Sequence, residues 1–362
     1  MIGFVCLWLS LFTPMLKDSI NPIKIGVAGL SHDHVNWVFN DDHKKDVQIV
    51  GIAESDTALA RKYVDRYGLS LDLIYSDLEE MVKVTAPQAV MAFGSIYSHL
   101  EVVRVCAPRG IHVMVEKPLA VSLNHAREIE QLARTHNIHV LTNYETTWYP
   151  SNHKVYQVVN ELQELGTVRK IVVHDGHRGP VEIGCSEEFL AWLTDPELNG
   201  GGAIVDFGCY GANLATWLMN NQKPTAVWGI TQQQKPHIYP EVDDEATIVL
   251  EYPGSQVIIQ ASWNWPFSRK DMKIYGENGS IEAMNARTIH KRIRDSSPED
   301  PVELPHLTAT HQNPFSYLAA VVRGEIIVKP GDLSSLENNM IVVEILDAAR
   351  YSAQTGQKVI IK

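Results

Sequence analysis

A lysine, an aspartate and a tyrosine in two separate segments could together move a proton. Lys117 stands in Val115-Glu116-Lys117-Pro118, directly after the apolar run 111–115. Asp206 and Tyr210 stand in GGGAIVDFGCY, four residues apart, so they share one face if that segment opens a helix. Tyrosine has a free pKa of about 10, and a nearby cation lowers an acid's pKa by about 1–3. Lys117 could supply that cation, letting Tyr210 take a hydroxyl proton; in the reverse direction neutral Tyr210 donates with no shift needed. The plainer alternatives are a surface lysine at a strand end, a tyrosine packed in the core, and an aspartate that stabilises a helix N-terminus.

A second group of residues suits a dinucleotide. After the apolar run 23–29 comes Gly29-Leu30-Ser31-His32-Asp33-His34. Against the G-x-G-x-x-G fingerprint only Gly29 survives, with Ser31 and His34 in place of the later glycines. Serine is small enough to let a pyrophosphate approach, whereas His34 must turn outward or push the following helix away. Glu54 follows the next apolar run, 25 residues after Gly29, where an acid accepts hydrogen bonds from ribose hydroxyls. Ser55 and Asp56 offer no cation for a 2′-phosphate, which favours NAD over NADP. Ser95, His99 and Glu116 complete the candidate cofactor contacts.

His32, Asp33 and His34 also raise the question of a metal, but three adjacent donors in a tight turn rarely converge on one ion. His32 donating to a phosphate and Asp33 capping the following helix are the simpler roles, and no metal is expected. On the substrate side stand His177, with His174 and Arg178 nearby, and Tyr144, Trp148 and Tyr149. Imidazoles and aromatic faces suit polyhydroxylated rings. Trp263 and Trp265 read as sheet packing or a subunit interface.

These residues need a scaffold, and the hydrophobic pattern supplies one. Apolar runs at 23–29, 47–53, 89–93, 111–115 and 138–141 alternate with helical segments at 58–67 and 122–135, and 35–39 begins another. Ser122 is a plausible N-cap for the second of these. Such alternation specifies a parallel sheet of βαβ units. Farther on, 246–251 and 257–263 flank one turn, and 272–275 and 280–283 flank Glu277-Asn278-Gly279, a hairpin signal. Segments 154–165 and 211–219 read as helices. A last helix starts with the capping box Ser334 and Glu337 and stops at Gly356.

The fold class is therefore α/β, an N-terminal Rossmann domain at 22–142 plus a C-terminal α+β domain at 143–362 with an open, mostly antiparallel sheet. Residues 1–21 form an extension. Its apolar stretch 1–16 carries no positive charge before the run and is too short for a stable membrane span. A start at Met15 and a cytoplasmic protein are one reading, export the other. The net charge of −12 argues against nucleic acid as a partner. Four scattered cysteines without CxxC spacing suggest neither a zinc site nor a disulfide framework.

Glu116-Lys117-Pro118, the GGGAIVDFGCYGANLATWL stretch and the ending EILDAARYSAQTGQKV resemble the Gfo/Idh/MocA family, which includes glucose–fructose oxidoreductase and inositol dehydrogenase. The resemblance covers 22–362. It implies that Lys117 hydrogen-bonds the reacting sugar oxygen beside the nicotinamide, that Tyr210 is the acid/base and that Asp206 supports it. Many members carry histidine at that position and aspartate three residues later. Here Tyr210 and Asn213 stand there, as in the tyrosine-bearing, glucose–fructose oxidoreductase-like branch. The implied activity is hydride transfer between NAD(H) and a sugar, sugar derivative or cyclic polyol. A homodimer or homotetramer paired through the C-terminal sheet is implied too. Two other functions stay open: an NAD-retaining glycosidase acting by transient ring oxidation and elimination, and a non-catalytic NAD-binding protein.

Overall fold

The computed structural model describes residues 21–39, 45–297 and 299–362. The apolar opening run and the alternative start at Met15 lie outside these residues. Among the described residues no helix is long and apolar enough to cross a membrane.

The first sheet has six strands: β1 (Ile23–Ala28), β2 (Val47–Ala53), β3 (Ile74–Tyr75), β4 (Ala89–Ala92), β5 (His112–Glu116) and β6 (Val140–Asn143). All pairs are parallel, in the order β3-β2-β1-β4-β5-β6. Ile25, Val27, Val90, Val113 and Val115 are fully buried, because both faces of a parallel sheet are covered and its strands are apolar throughout. The order reverses between β1 and β4. A crevice opens there at the carboxyl ends of the strands, where ligands bind in this architecture.

The second sheet has nine strands: β7 (Val168–Gly176), β8 (Ala226–Gln232), β9 (Glu245–Tyr252), β10 (Ser255–Ser262), β11 (Arg269–Gly276), β12 (Gly279–Ala283), β13 (Thr288–Ile293), β14 (Val302–Glu303) and β15 (Val359–Ile360). They run in the order β14-β13-β12-β11-β7-β10-β9-β8-β15. The sheet is antiparallel except where β10 runs parallel to β7. Alternate residues of β9 and β10, such as Ile248, Leu250, Val257 and Ile259, are buried under the helix Gly208–Leu218.

Three local expectations need correction. The loop after β1 leads not into a regular α-helix but into a short 3-10 helix, Asp33–Trp37. The final helix, Leu336–Thr355, is capped by Ser335 rather than Ser334. Its hydroxyl accepts from Asn338 N–H at 3.2 Å and donates to Pro330 O. The segment expected to be a helix at 154–165 is an α-helix, Pro150–Tyr156, that loosens into a π-helical turn, Gln157–Glu161. Ser122 caps its helix as expected, accepting from His125 N–H at 3.3 Å.

The last part of the chain ties the two sheets together. The helix Pro314–Val322 returns to the first sheet, where Phe315, Leu318 and Val321 pack with Ile25, Val27 and Met91. Within Leu336–Thr355, Val343 enters the core of the parallel sheet while Ile345 and Leu346 enter that of the second. Asp347 accepts from Leu123 N–H at 2.7 Å. Arg350 donates to Val121 O at 2.8 Å and also to Gly200 O, so one guanidinium holds the segment after Pro118 against the glycine run before Asp206. Arg350→Ala strands both carbonyls and should lower stability by about 2 kcal/mol. The check is the urea midpoint, and an unchanged midpoint would show the tie to be dispensable.

Candidate active site

Lys117 leaves the carboxyl end of β5 and Asp206 ends a short helix, Ala203–Asp206. That helix is held from below by Asp243. Its carboxylate accepts from Gly202 N–H at 2.9 Å and Ile204 N–H at 2.7 Å. A Cβ on Gly202 would lie 1.8 Å from Asp243 O, so this close approach requires glycine. Lys117 and Asp206 meet as a buried ion pair, and Lys117 Nζ also donates to Asp206 O at 3.1 Å. Trp263 Nε1 donates to the second carboxylate oxygen at 2.9 Å. Burial opposes both charges, yet their mutual attraction wins. Lys117 is held above its ordinary pKa and Asp206 below.

Tyr210 opens the next helix after a break at Phe207, and still lines the same cleft as Lys117 and Asp206, a space of about 540 Å3. Its hydroxyl has no hydrogen-bond partner among the described residues. Lys117 Nζ lies 5.2 Å from the ring centroid and Lys270 Nζ 4.5 Å from it. Despite these two cations its pKa is raised well above 10, first by burial and then by Glu145, Cys209 and Asp206. The expected lowering by Lys117 fails because burial outweighs it.

The cofactor crevice is built from the loops after β1, β2 and β4. Gly29 has φ +81, and a Cβ there would lie 2.8 Å from Gly94 N, so the tight turn needs glycine. Glu54 stands at the end of β2 and accepts from Leu30 N–H and Asp56 N–H, each at 2.9 Å. The amides of His32 and Val35 are used within the chain, while those of Ser31 and Asp33 have no partner among the described residues. Two free amides beside Gly29 and an acid at the end of β2 fit a dinucleotide. Ser95 precedes the 3-10 turn Ile96–Ser98. His99 is buried behind it, its Nδ1 3.2 Å from Leu119 O.

The histidines depart from expectation. His34 turns inward, stacks on Trp37 and meets Glu116 Oε2 through Nδ1 at 3.0 Å. His32, not Asp33, caps the 3-10 helix, its Nδ1 accepting from His34 N–H at 3.1 Å. Asp33 instead accepts from Ser186 N–H at 3.1 Å. Glu116 is fully buried, which pushes its pKa up. The His34 charge and hydrogen bond, His32 and a 2.7 Å bond from Asn143 pull it down to about 2. His32, His34 and Glu116 place ligand atoms within 4.8 Å of one another. Because His32 Nδ1 is an acceptor, Nε2 carries the proton. A metal there would cost the bond between His34 and Glu116, which ties the loop after β1 to the end of β5.

A strap from the second domain crosses this loop. Phe189 and Trp192 pack on the His32 ring at 4.7 and 5.5 Å, and Leu198 O accepts from Tyr97 N–H at 3.0 Å.

Of the substrate candidates, His177 lines the cleft. It accepts from Gly179 N–H at Nδ1 and is kept neutral by burial. Tyr144 is buried edge-on to the Tyr210 ring at 5.5 Å and does not line the cleft. Trp148 faces a different cavity and donates to Asn143 Oδ1 at 3.0 Å. His174 pairs with Asp271 at 3.0 Å outside the cleft. Sequence reasoning missed Lys270 and its partner Glu145, which also accepts from Tyr149 at 2.5 Å. The signal for Lys270 was present: it shares a strand face with the buried Met272 and Ile274, a lysine in an apolar register.

Residues 23–144 match the family model described as oxidoreductase family, NAD-binding Rossmann fold, and residues 154–282 match the GFO/IDH/MocA C-terminal domain. The chain belongs to the Gfo/Idh/MocA family. This family member is an NAD-dependent oxidoreductase. Among similar curated proteins, trans-1,2-dihydrobenzene-1,2-diol dehydrogenase of Xenopus laevis is 26% identical over 84% of this chain and 89% of its own length. D-xylose 1-dehydrogenase (NADP(+)) 2 of Haloferax volcanii is 24% identical over 92% and 98%. Among solved structures, the inositol dehydrogenase homolog of Azotobacter vinelandii with NAD+ aligns with a TM-score of 0.80 at 18% identity, over 95% of this chain and 99% of that one. Aldose-aldose oxidoreductase of Caulobacter crescentus aligns with a TM-score of 0.77 at 17% identity, over 94% and 100%. At these identities the structural likenesses establish the fold.

Burial drops the pKa of His99 from 6.5 to about 4, outweighing the Leu119 carbonyl. The native imidazole therefore stays neutral while the unfolded chain takes up a proton below 6.5. Stability should fall by up to about 3 kcal/mol from this group as pH drops through that window. Urea midpoints measured across it should vary less in His99→Gln, and an equal pH dependence in the variant would remove His99 as a cause.

Proposed function

We propose that this Gfo/Idh/MocA member transfers hydride between NAD(H) and a carbon bearing oxygen in a sugar, sugar derivative or cyclic polyol. Lys117 orients that oxygen, and Tyr210 handles its proton. The reading rests on one observation above all: the Tyr210 hydroxyl has no hydrogen-bond partner among the described residues, and Tyr210 lines the same cleft as the Lys117–Asp206 pair. NAD, when bound, supplies the hydride carrier. Glu54 would hold the adenosine ribose, the Ser31 and Asp33 amides the pyrophosphate, and Glu116 the nicotinamide end. Nothing cationic follows Glu54 at Ser55 or Asp56, which supports NAD over NADP.

Burial favours the neutral phenol, so the geometry supports the reductive direction. Tyr210 donates its proton to the carbonyl oxygen as the carbon receives hydride, and the tyrosinate left behind is flanked by Lys117 and Lys270. His177 donates through Nε2–H and suits a further substrate hydroxyl. The names of relatives acting on D-xylose and on a cyclic diol support the substrate class. The strap across the β1 loop favours, as a second reading, a cofactor retained between turnovers, as an NAD-retaining glycosidase would need. A non-catalytic role sits poorly with the intact proton-transfer set. Trp228 and Ile230 of β8 and Tyr275 of β11 are exposed, which supports pairing of two copies through the second sheet.

The test is purified protein with NAD(H) and a panel of sugars, keto-sugars, glycosides and polyols, followed by NADH absorbance and product mass spectrometry. Stoichiometric change in NADH with a reduced or oxidised product supports the proposal; cleaved product without net NADH change supports the glycosidase. Tyr210→Phe should lower turnover by about 10²–10⁴-fold with NAD affinity unchanged, and wild-type turnover in this variant would refute the tyrosine's role. Lys270→Met removes one flanking charge and should lower kcat about tenfold or more. An effect on KM alone would instead make Lys270 a substrate-binding group.

A further inference from the structure

We infer that a second cavity, separate from the catalytic cleft, binds a neutral sugar or polyol ring. The cavity measures about 600 Å3 and shares no lining residue with the cleft. One short turn, Glu145–Trp148, divides the two. Glu145 and Tyr149 line the cleft, whereas Thr147 and Trp148 line the second cavity. A ring seated on the Trp148 side is therefore outside the space that Lys117 and Tyr210 line.

Its walls are aromatic. Tyr156 and Trp217 stack with centroids 4.3 Å apart and planes 15° from parallel. Trp148 and Tyr317 meet at 5.4 Å to form a second wall. Flat apolar faces of this kind pack against the C–H faces of a saturated ring, and a few polar groups then fix its orientation. Those polar groups are present and incompletely used. Among the described residues the buried Ser334 hydroxyl has no partner, and the Thr147 hydroxyl likewise, an arrangement that asks for a ligand or water. Asp332 accepts from Lys329 N–H at 2.7 Å through one oxygen, and its other oxygen, with no hydrogen bond among the described residues, can take a ligand hydroxyl. His153 donates to Thr147 O through Nε2 at 2.8 Å, which leaves Nδ1 as an acceptor. Two carboxylates, Glu161 and Asp332, face one ammonium, Lys329, in the lining. That surplus of negative charge turns away a phosphate or a carboxylate and leaves an uncharged, hydroxyl-rich ring as the ligand.

The site can be tested without reference to catalysis. The full chain, labelled with 5-fluorotryptophan and saturated with NAD, is titrated with methyl β-D-glucopyranoside, D-xylose and myo-inositol while fluorine NMR is recorded. The chain has eight tryptophans, few enough to resolve, and Trp148→Phe and Trp217→Phe assign the two that matter. With at least one of these probes, the Trp148 and Trp217 signals should shift saturably. Tyr156→Ala should weaken that response at least tenfold, and Asp332→Asn, which keeps the fold of the aromatic walls, should weaken it too. Neither variant should alter the response of Trp263, which reports on the cleft through Asp206. The inference is overturned if no probe moves Trp148 and Trp217. It is equally overturned if they follow the Trp263 isotherm and ignore Tyr156→Ala. Because the cleft is read by Trp263 and this cavity by the other two, failure here leaves the catalytic reading standing.

Discussion

An ammonium and a carboxylate removed from water together are tolerated only while they stay together. Lys117 comes from the parallel sheet and Asp206 from the second domain, so their contact is one of those that join the two. Losing one partner of a buried pair typically costs about 3–5 kcal/mol, because the other charge is left stranded. Much of the surrounding structure serves to prevent that. Asp243 fixes the helix that carries Asp206, Trp263 occupies the second carboxylate oxygen, and Arg350 bridges the segments on either side. The two parts are thus pinned together at the point where chemistry is proposed.

The same pair bears on Tyr210. Bound to Asp206, Lys117 contributes a neutral dipole in the ground state, and the ring is left to the effect of burial. Lys270 is likewise matched by Glu145. The phenol is surrounded by compensated cations, an environment that holds the proton at rest and can stabilise its loss at the moment of transfer.

Much of this was legible in the residues. Apolar runs and their spacing gave the parallel sheet and the hairpins of the second one, because burial on two faces or one leaves different patterns. Lys117 and the segment after the glycine run fall in one cleft, as expected of local motifs at element ends. What was not legible depends on contacts between distant segments. Whether His34 faces out or in is decided by Glu116, 82 residues away. Trp148 and Tyr149 are neighbours in sequence, yet only Tyr149 reaches the cleft of Lys117 and only Trp148 the cavity of Trp217. Ser335 caps where Ser334 was expected because the Pro330 carbonyl fixes its hydroxyl. Lys270 could have been found from strand register, but only once β11 was known to face the cleft.

The short 3-10 helix after β1 has a consequence for how cofactor arrives. A regular α-helix starting at this point would present a partial positive charge to an incoming pyrophosphate, and five residues of 3-10 helix supply little of it. The protein as a whole carries a net charge of −12. A dinucleotide carries charge of the same sign, so the far field opposes its approach, and the proposed contacts with the Ser31 and Asp33 amides act only at short range. Capture is then a short-range event, and added salt, which screens that repulsion, speeds the encounter instead of weakening it.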